Sequence, residues 1–422
     1  MRSTIKIVIL LFFICISMSG ASFPDMEKYM RQHALIWEQL PMQWNEGAFL
    51  GNGLVGMMVY ADSTLNALVF HLGRPDVTDH RKAPYRKTSI GTEEADKMVD
   101  FCRLDVGKML LFPEGKILSG TFYLDIYNAE LTGHLKTDKG DLTFHAYTPQ
   151  PEEVNIVEVS SGVPYRWKGI PGNPCSPRIR VFPHLKEKLK YKDNPAPVVN
   201  QKDKEGSWVQ SLLAGGDYAT YWKEVPGGKS RSVLYVSTAN EVPASSLSLA
   251  KAMKTVEATQ ITGTKLLKQK TRQWWNAYHE RSFLSIPDKK LENFYFIQMY
   301  KLATCSHPDG PAMDVMGTFF KLSPWPSFWW NLNIQLTYMP IGPANRMEQG
   351  KNFQRLMDEV FPSLVRSIEP CKIGDYTWAL QNYYMYLRYA GADWQDIKQQ
   401  VVPKALDAFA AVSYTHLRAH ET

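Results

Sequence analysis

The hydrophobic pattern of this chain changes once, and that change constrains the fold more than any other feature. From about residue 45 to 240, short apolar runs alternate with polar residues and are separated by turn residues, as in GMMVYADSTLNALVFHL and RSVLYVST. Many such runs without intervening helices predict antiparallel strands in a large β-sandwich. The clearest predicted hairpin has Leu135 and Leu142 on either side of the short turn at residues 138–140.

A long polar segment with helical spacing, SSLSLAKAMKTVEATQITGTKLLKQKTRQWWNAYHERSFL, follows the last predicted strand, and no strand pattern returns after it. The helix predicted beyond Pro287 has an apolar stripe with spacings of four, four and three residues, formed by Leu291, Tyr295, Met299 and Leu302. Strands, then a polar helical connector, then only helices predict a β-sandwich followed by an α-helical domain.

The two ends of the chain are not predicted to belong to the folded domains. Residues 1–21 carry Arg2 and Lys6, an apolar run and the small residues SMSGA, which is typical of a cleaved secretory signal. A membrane anchor is the weaker alternative, because the apolar run is shorter than the ~20 residues that a span needs. Residues 412–422, VSYTHLRAHET, resemble a translated sequencing-library adapter, so we exclude them and expect the natural protein to continue beyond Ala411.

Between these ends we predict three parts. They are a β-sandwich domain at residues 22–245, a helical linker at 246–285 and the start of a helical domain at 286–411.

Charge, cysteines and known motifs exclude several classes of protein. Removing Arg2 and Lys6 from a formal charge of +6 leaves about +4, which is too mild to predict a nucleic-acid partner. The four cysteines of the mature chain lack CxxC spacing, which predicts free thiols rather than a zinc site or disulfides; they are Cys102, Cys175, Cys305 and Cys371. The chain has no phosphate-binding glycine loop, dinucleotide fingerprint, GxSxG or HExxH, so we predict no cofactor.

The twelve tryptophans are concentrated most strongly in SPWPSFWWNLNIQLTYMPIGPANRME. Aromatic rings stack on the flat apolar faces of sugars, so this segment suggests a carbohydrate site with Trp329 and Trp330 among its binding residues. The alternative is that Trp325, Trp329 and Trp330 belong to the core.

Asn331 and Asn333 lie two residues apart in the same segment. That spacing points both side chains the same way in an extended chain but to opposite faces of a helix, so a shared pocket requires a loop that enters the next helix. An amide cannot act as a general base, but it can orient a water and donate to a sugar hydroxyl. The alternative is that both asparagines cap the helix start.

Three motifs carry a resemblance to a known family: LGNGLVGMMVY at residues 50–60, MDVMGTFF at 313–320 and WWNLNIQLTYMPIGPANRME at 329–348. Together, and in this order, they resemble glycoside hydrolase family 95, the inverting α-L-fucosidases and α-L-galactosidases, and more broadly the six-hairpin glycosidases. The resemblance implies an N-terminal β-supersandwich, a helical linker and an (α/α)6 barrel, of which residues 286–411 form the first, truncated part.

The resemblance also implies the roles of two residues. Asn331 and Asn333 would hold the nucleophilic water, while a glutamate acid and a second carboxylate would follow the position where this chain stops. The chain as given is therefore expected to be inactive.

The segment HLGRPDVTDHR holds the densest group of charged residues near the glycine-rich loop. In the related enzymes such loops reach over the barrel mouth, which suggests Arg74, Asp76 and His80 as substrate contacts. The alternative is a surface loop held by Arg to Asp pairs. We predict no metal here, because the spacing of Asp76, Asp79 and His80 follows no known ligand pattern.

These observations favour a secreted or periplasmic bacterial glycosidase, exo-acting and inverting, on oligosaccharide or polysaccharide substrates, without nucleic-acid partner or membrane anchor. A non-catalytic glycan-binding protein of the same fold is one alternative. A polysaccharide lyase is another, although it needs a Tyr or His base and uronate-binding arginines that the matched motif lacks.

The mature protein is predicted to begin at Ser22, because Ser19 and Ala21 supply the small residues that a signal peptidase requires. N-terminal sequencing of the exported protein is the measurement. An intact Met1 on the exported protein would contradict the prediction.

Overall fold

The structure, a computed structural model, describes residues 25–80, 102–241, 247–328 and 332–368, with side chains as far as Glu359. Several predicted features lie outside the described residues: the signal at 1–21, Arg81, Trp329, Trp330, Asn331, Cys371, the rest of the helical domain to 411 and the tail at 412–422.

The described residues form fourteen strands: β1 (Leu35–Trp37), β2 (Ala48–Gly51), β3 (Gly56–Asp62), β4 (Ala67–Gly73), β5 (Lys108–Pro113), β6 (Ile117–Asp125), β7 (Glu130–Thr137), β8 (Asp141–Tyr147), β9 (Val154–Ser161), β10 (Tyr165–Ile170), β11 (Val198–Gln201), β12 (Glu205–Ser211), β13 (Asp217–Gly228) and β14 (Arg231–Glu241).

Eight α-helices lie in the same described ranges: α1 (Met26–Arg31), α2 (Pro177–Val181), α3 (His184–Lys188), α4 (Ser248–Thr262), α5 (Thr264–His279), α6 (Lys289–Cys305), α7 (Leu332–Tyr338) and α8 (Lys351–Ile368). Short 3-10 turns lie at Trp44–Glu46, Met339–Ile341 and Met347–Gly350. None of the described helices is long and apolar enough to cross a membrane.

The strands form an antiparallel β-sandwich of two sheets. One has the order β1-β6-β7-β8-β9-β14-β13-β12-β11 and the other β10-β5-β4-β3-β2. The predicted hairpin is confirmed, because Leu135 of β7 lies opposite Leu142 of β8. Its turn is closed by Thr137, whose hydroxyl accepts from the backbone N–H of Lys139 and of Gly140, both at 3.1 Å.

The main core lies between the two sheets. Alternate residues of several strands point into it, such as Leu68, Phe70 and Leu72 of β4. The Phe70 ring meets the Phe144 ring edge to face, with ring centroids 5.4 Å apart, which is a favourable geometry for aromatic rings. This face-to-face burial explains the alternating pattern that predicts the sandwich.

Two helices, α4 and α5, occupy the segment predicted as a linker, and they pack on the outer face of the larger sheet. Val256 and Leu267 lie in one buried cluster with Tyr147, Ile156 and Tyr235 of the strands. The part of the larger sheet that includes β8, β9, β13 and β14 is therefore covered on both faces. The segment is part of the folded body rather than a spacer.

Glu130 of β7 binds α5 to the larger sheet. Its carboxylate accepts two hydrogen bonds from Arg272, at 2.5 and 2.7 Å, and lies 2.9 Å from Nε2 of His145. Burial alone would raise the pKa of Glu130, but the hydrogen bonds and charges of His145 and Arg272 outweigh it and lower the pKa to about 2.

The stripe predicted on α6 is correct at its C-terminal end and wrong at its start. Met299 and Leu302 are buried, whereas Leu291 is 60% exposed. The buried residue of that first turn is Glu292, whose carboxylate accepts from the backbone N–H of Ile286 at 2.7 Å. Glu292 is buried because its carboxylate binds the backbone of the segment that enters the helix, at a turn where hydrophobic spacing alone predicts leucine.

The lowered pKa of Glu130 predicts acid sensitivity of the contact between helix and sheet. Because the folded pKa lies below the ordinary value of 4.5, the stabilisation is present above about pH 5 and is lost as the pH falls toward 2. Glu130→Gln is expected to lower the free energy of unfolding by ~1 to 3 kcal/mol at pH 7 and by roughly half as much at pH 3. Urea unfolding at both pH values is the measurement.

The matched control for Glu130 is Glu257→Gln, since Glu257 is exposed on the adjacent helix α4. Its effect on stability should be small and the same at both pH values. A Glu130→Gln effect that did not change between pH 7 and pH 3 would contradict the ion-pair explanation.

Candidate functional site

The turn between β2 and β3 is fixed by a buried asparagine. The side-chain oxygen of Asn52 accepts from the backbone N–H of Leu54 and Val55, both at 3.0 Å. Its amide nitrogen donates to the backbone oxygens of Pro149 and Glu152, at 2.7 and 2.8 Å. Both the oxygen and the nitrogen of the Asn52 amide form their hydrogen bonds inside the protein. Asn52 therefore holds the glycine-rich turn against the connection between β8 and β9.

The glycines near this turn allow the sandwich to approach the helical part closely. Gly53 has φ 82°, and its backbone N–H donates to the backbone oxygen of Thr304 at 3.0 Å. A Cβ at Gly53 would lie 2.3 Å from the backbone nitrogen of His307, and one at Gly73 would lie 1.9 Å from the backbone oxygen of Thr318. The glycine-rich motif therefore forms the junction between sandwich and helices.

Residues 306–328, here called the junction loop, connect α6 to the segment before α7 and are held by Arg103. This side chain is 1% exposed. Its Nη1 donates to Oδ2 of Asp314 at 3.0 Å and to the backbone oxygen of Gly317 at 2.6 Å. The Arg103 backbone N–H donates to the backbone oxygen of Pro326 at 2.5 Å. Nη2 of Arg103 also donates to the backbone oxygen of Phe319 at 3.3 Å, so one residue contacts the junction loop at four points.

A second set of hydrogen bonds holds the junction loop from the helical side. The Tyr338 hydroxyl of α7 accepts from the backbone N–H of Met313 at 2.6 Å and donates to the side-chain oxygen of Asn352 at 3.1 Å. The Asn352 amide donates to the hydroxyl of Ser306 at 2.9 Å and to the backbone oxygen of Pro311 at 2.8 Å. Because these groups are buried and paired, they set one conformation of the loop.

Asn333 lies at the second residue of α7, in its first turn rather than on a loop before it. Its backbone oxygen accepts from the Thr337 hydroxyl at 2.8 Å, while its partly buried side chain makes no hydrogen bond with any described residue. The neighbouring Ile334 is fully buried, which fixes the rotation of the helix. The Asn333 side chain is therefore held on the partly exposed side of α7.

The side chain of Arg74 is directed into the sandwich. It is 7% exposed, and its Nε and Nη2 donate to the Asp76 carboxylate at 2.7 and 3.0 Å. Its Nη1 donates to the Glu153 carboxylate and to the backbone oxygen of Thr238, the latter at 2.6 Å. Burial alone would lower the pKa of Arg74, but the charges of Asp76 and Glu153 outweigh it and raise the pKa. The Arg74 guanidinium is therefore bound by acceptors on three other residues of the sandwich.

His80 lies at the end of a described range, and its Nδ1 is 3.2 Å from the backbone oxygen of Thr78. No hydrogen bond joins Arg74, Asp76 or His80 to Asn333 within the residues that the structure describes. The described ranges also contain no group of three or more His, Cys, Asp or Glu side chains arranged to hold a metal ion. Contact of Arg74, Asp76 and His80 with substrate stays a prediction.

Two features of this region have no clear sequence signal. Arg103 and Asp314 are 211 residues apart, so nothing in the local pattern pairs them. Trp325 could be core or surface by sequence, and the structure leaves it 49% exposed. The interpretation of Trp325 as a core residue is therefore wrong.

No protein-family model matches the sequence, and no curated protein matches it either. Among solved structures, the chain is similar to a protein assigned as a kojibiose phosphorylase from the human microbiome, with a TM-score of 0.45 and 9% identity over 68% of this chain and 43% of that one. It is also similar to a bacterial glucoamylase in complex with acarbose, with a TM-score of 0.48 and 9% identity over 89% of this chain and 61% of that one. The chain thus spans less than two thirds of either protein, and neither activity transfers to it on this basis.

The dependence of the junction loop on Arg103 predicts the effect of its removal. Arg103→Met leaves the Asp314 carboxylate buried without its cation and the Gly317 backbone oxygen without its donor. We expect a loss of about 3 to 5 kcal/mol in the free energy of unfolding, measured with urea.

Arg281→Met is the control, because Arg281 is exposed at the end of α5. It should change stability by less than about 0.5 kcal/mol, as is usual for a surface substitution. Equal effects of the two substitutions would show that the Arg103 contacts do not stabilise the fold.

Proposed function

We propose that this chain is part of a secreted glycoside hydrolase, an exo-acting and inverting enzyme of α-L-fucosidase or α-L-galactosidase type. The observation that carries the proposal is the Asn333 amide, which is unengaged among the described residues and fixed at the start of α7 within the Asn-x-Asn motif. Helix α7, which carries Asn333, contacts the junction loop through Tyr338. The junction loop is bound in turn to the sandwich through Arg103.

The chemistry of two asparagines suits the binding of a water rather than proton transfer. An amide oxygen accepts from the water and turns a lone pair of that water toward the sugar, while the amide nitrogen donates to a sugar hydroxyl. Neither group changes its protonation state at neutral pH. Asn331 and Asn333 would therefore position the attacking water, and a carboxylate would have to remove its proton.

Inversion of configuration fits this arrangement. Inverting glycosidases hold a general acid and a general base roughly 6.5 to 9.5 Å apart, which leaves room for a water between the base and the sugar. The family resemblance implies a glutamate acid and a second carboxylate as the proton-transfer groups, while the stacking of sugars on aromatic rings suggests Trp329 and Trp330 as sugar contacts. The signal-like residues 1–21 support export to the periplasm or beyond.

The test is substitution of each asparagine in the complete protein. Asn333→Ala and Asn331→Ala should each lower kcat roughly tenfold to a thousandfold and change KM far less, because the lost contact orients a reacting water. The measurement is release of fucose and of galactose from aryl α-L-glycosides, with the anomer of the first product followed by NMR.

Leu332→Ala is the matched control, since Leu332 lies in the same helical turn and is exposed. It should leave turnover unchanged. Unchanged turnover in both asparagine variants would remove the assigned role. Glycan binding without hydrolysis in the wild-type protein would favour the non-catalytic alternative, and an unsaturated product would favour a lyase.

A further inference from the structure

Arg346 is a buried cation that has no carboxylate partner among the described residues. Its side chain belongs to a residue that is only 1% exposed. The other two described arginines of the buried class each bind a carboxylate, Arg74 that of Asp76 at 2.7 Å and Arg103 that of Asp314 at 3.0 Å. Within the described ranges, no Asp or Glu forms an ion pair with Arg346.

The backbone of Arg346 is fixed, whereas its guanidinium has an unused donor. The Arg346 backbone N–H donates to the backbone oxygen of Ile341 at 2.8 Å, in the turn that follows α7. Nη1 makes a long hydrogen bond, 3.4 Å, to the backbone oxygen of Asn345, and Cζ lies 4.2 Å from the ring centroid of Tyr278. Nε is buried and has no hydrogen-bond partner.

The groups around the guanidinium do not supply a negative charge. Burial raises the pKa of Tyr278, whose hydroxyl donates to the backbone oxygen of Met299 at 2.7 Å. Burial lowers the pKa of His279 to about 3, and the charge of Arg346 acts in the same direction, so His279 is neutral at pH 7. The attraction between a cation and an aromatic ring is smaller than the cost of burying that cation. The charge of Arg346 therefore still needs a counter-ion.

A second buried donor without an acceptor lies against the same aromatic ring. Trp275 is fully buried, and its indole N–H has no hydrogen-bond partner. The Trp275 ring meets the Tyr278 ring edge to face, with ring centroids 5.7 Å apart. Both rings belong to the main core, where an N–H group without an acceptor is costly. What this region lacks is an acceptor that also carries negative charge.

We propose that Arg346 binds a small inorganic anion inside the protein, which is chloride in ordinary salt solutions. A buried water could accept from the Nε–H group, but it would leave the positive charge unbalanced. A monatomic ion accepts hydrogen bonds from any direction, and it needs less space beside an almost fully enclosed side chain than a phosphate or a sugar acid. The site lies between α5 and the turns that follow α7, and it does not depend on the proposed glycosidase function.

The experiment measures thermal unfolding of the complete protein at different chloride concentrations. Sodium gluconate, whose anion is too large for the site, keeps the ionic strength constant. A ligand that binds only the folded state raises the unfolding midpoint as its concentration rises. The wild-type midpoint should rise by about 2 to 5 °C over a roughly hundredfold increase in chloride.

Arg346→Met separates an anion site from a purely structural role. This substitution removes the charge and keeps a side chain of similar length, so the midpoint should no longer depend on chloride. In gluconate alone the variant should be at least as stable as the wild type, because no unpaired cation remains buried. An equal loss of stability at every chloride concentration would overturn the proposal.

Arg281→Met is the matched control. Arg281 is exposed, and its charge also acts on Tyr278. This variant should keep the chloride dependence of the wild type. Loss of the dependence in Arg281→Met as well would show a general effect of surface charge and would overturn the proposal.

A second measurement on the wild type decides the question if Arg346→Met does not fold. Crystals of the complete protein grown in sodium bromide should show an anomalous scattering peak beside Nε of Arg346. A wild-type midpoint that does not change with chloride, or the absence of a bromide peak there, would overturn the proposal and leave a buried water as the partner. Neither measurement uses a glycan, so both outcomes are independent of those of the asparagine variants.

Discussion

The buried guanidinium of Arg103 is the contact on which the arrangement of this protein depends. It takes one carboxylate and three backbone oxygens of the junction loop as partners, counting the one bound by its own N–H. A buried cation is costly unless it is paired, so the loop can leave this position only by leaving the charge unsatisfied. That cost favours one conformation of the loop, and the loop in turn contacts α7, the helix that carries Asn333, through the Tyr338 hydroxyl.

The sandwich was predictable from sequence because its information is local. Alternation of apolar residues and a glycine-containing turn specify the pairing of Leu135 with Leu142 without reference to any distant residue. The first turn of α6 could not be predicted in this way, because its buried residue is Glu292. The Glu292 carboxylate accepts from the backbone N–H of Ile286, a contact that hydrophobic periodicity does not indicate. The packing of α4 and α5 on the larger sheet could not be predicted either, since a polar helical pattern indicates a connector but not the surface that it contacts.

The candidate site was predictable in part, for the same physical reason. The chemistry of Asn331 and Asn333 can be argued from residue type and spacing, but the helical position of Asn333 requires the start of α7 to be known. The charged cluster near Arg74 looked functional by density alone, yet its guanidinium has internal acceptors on three other residues. Sequence shows which groups are charged, whereas only the fold shows whether their partners are already inside the protein.

The main core also has a consequence for the order in which the chain can fold. It includes Met26 near one end of the described residues and Ala344 in the helical part, with the two sheets between them. Contacts between residues so far apart in sequence close late and slow the search for the native state. On the ribosome, strands synthesised early therefore wait for partners synthesised much later, and during that interval apolar surface remains open to chaperones or to aggregation.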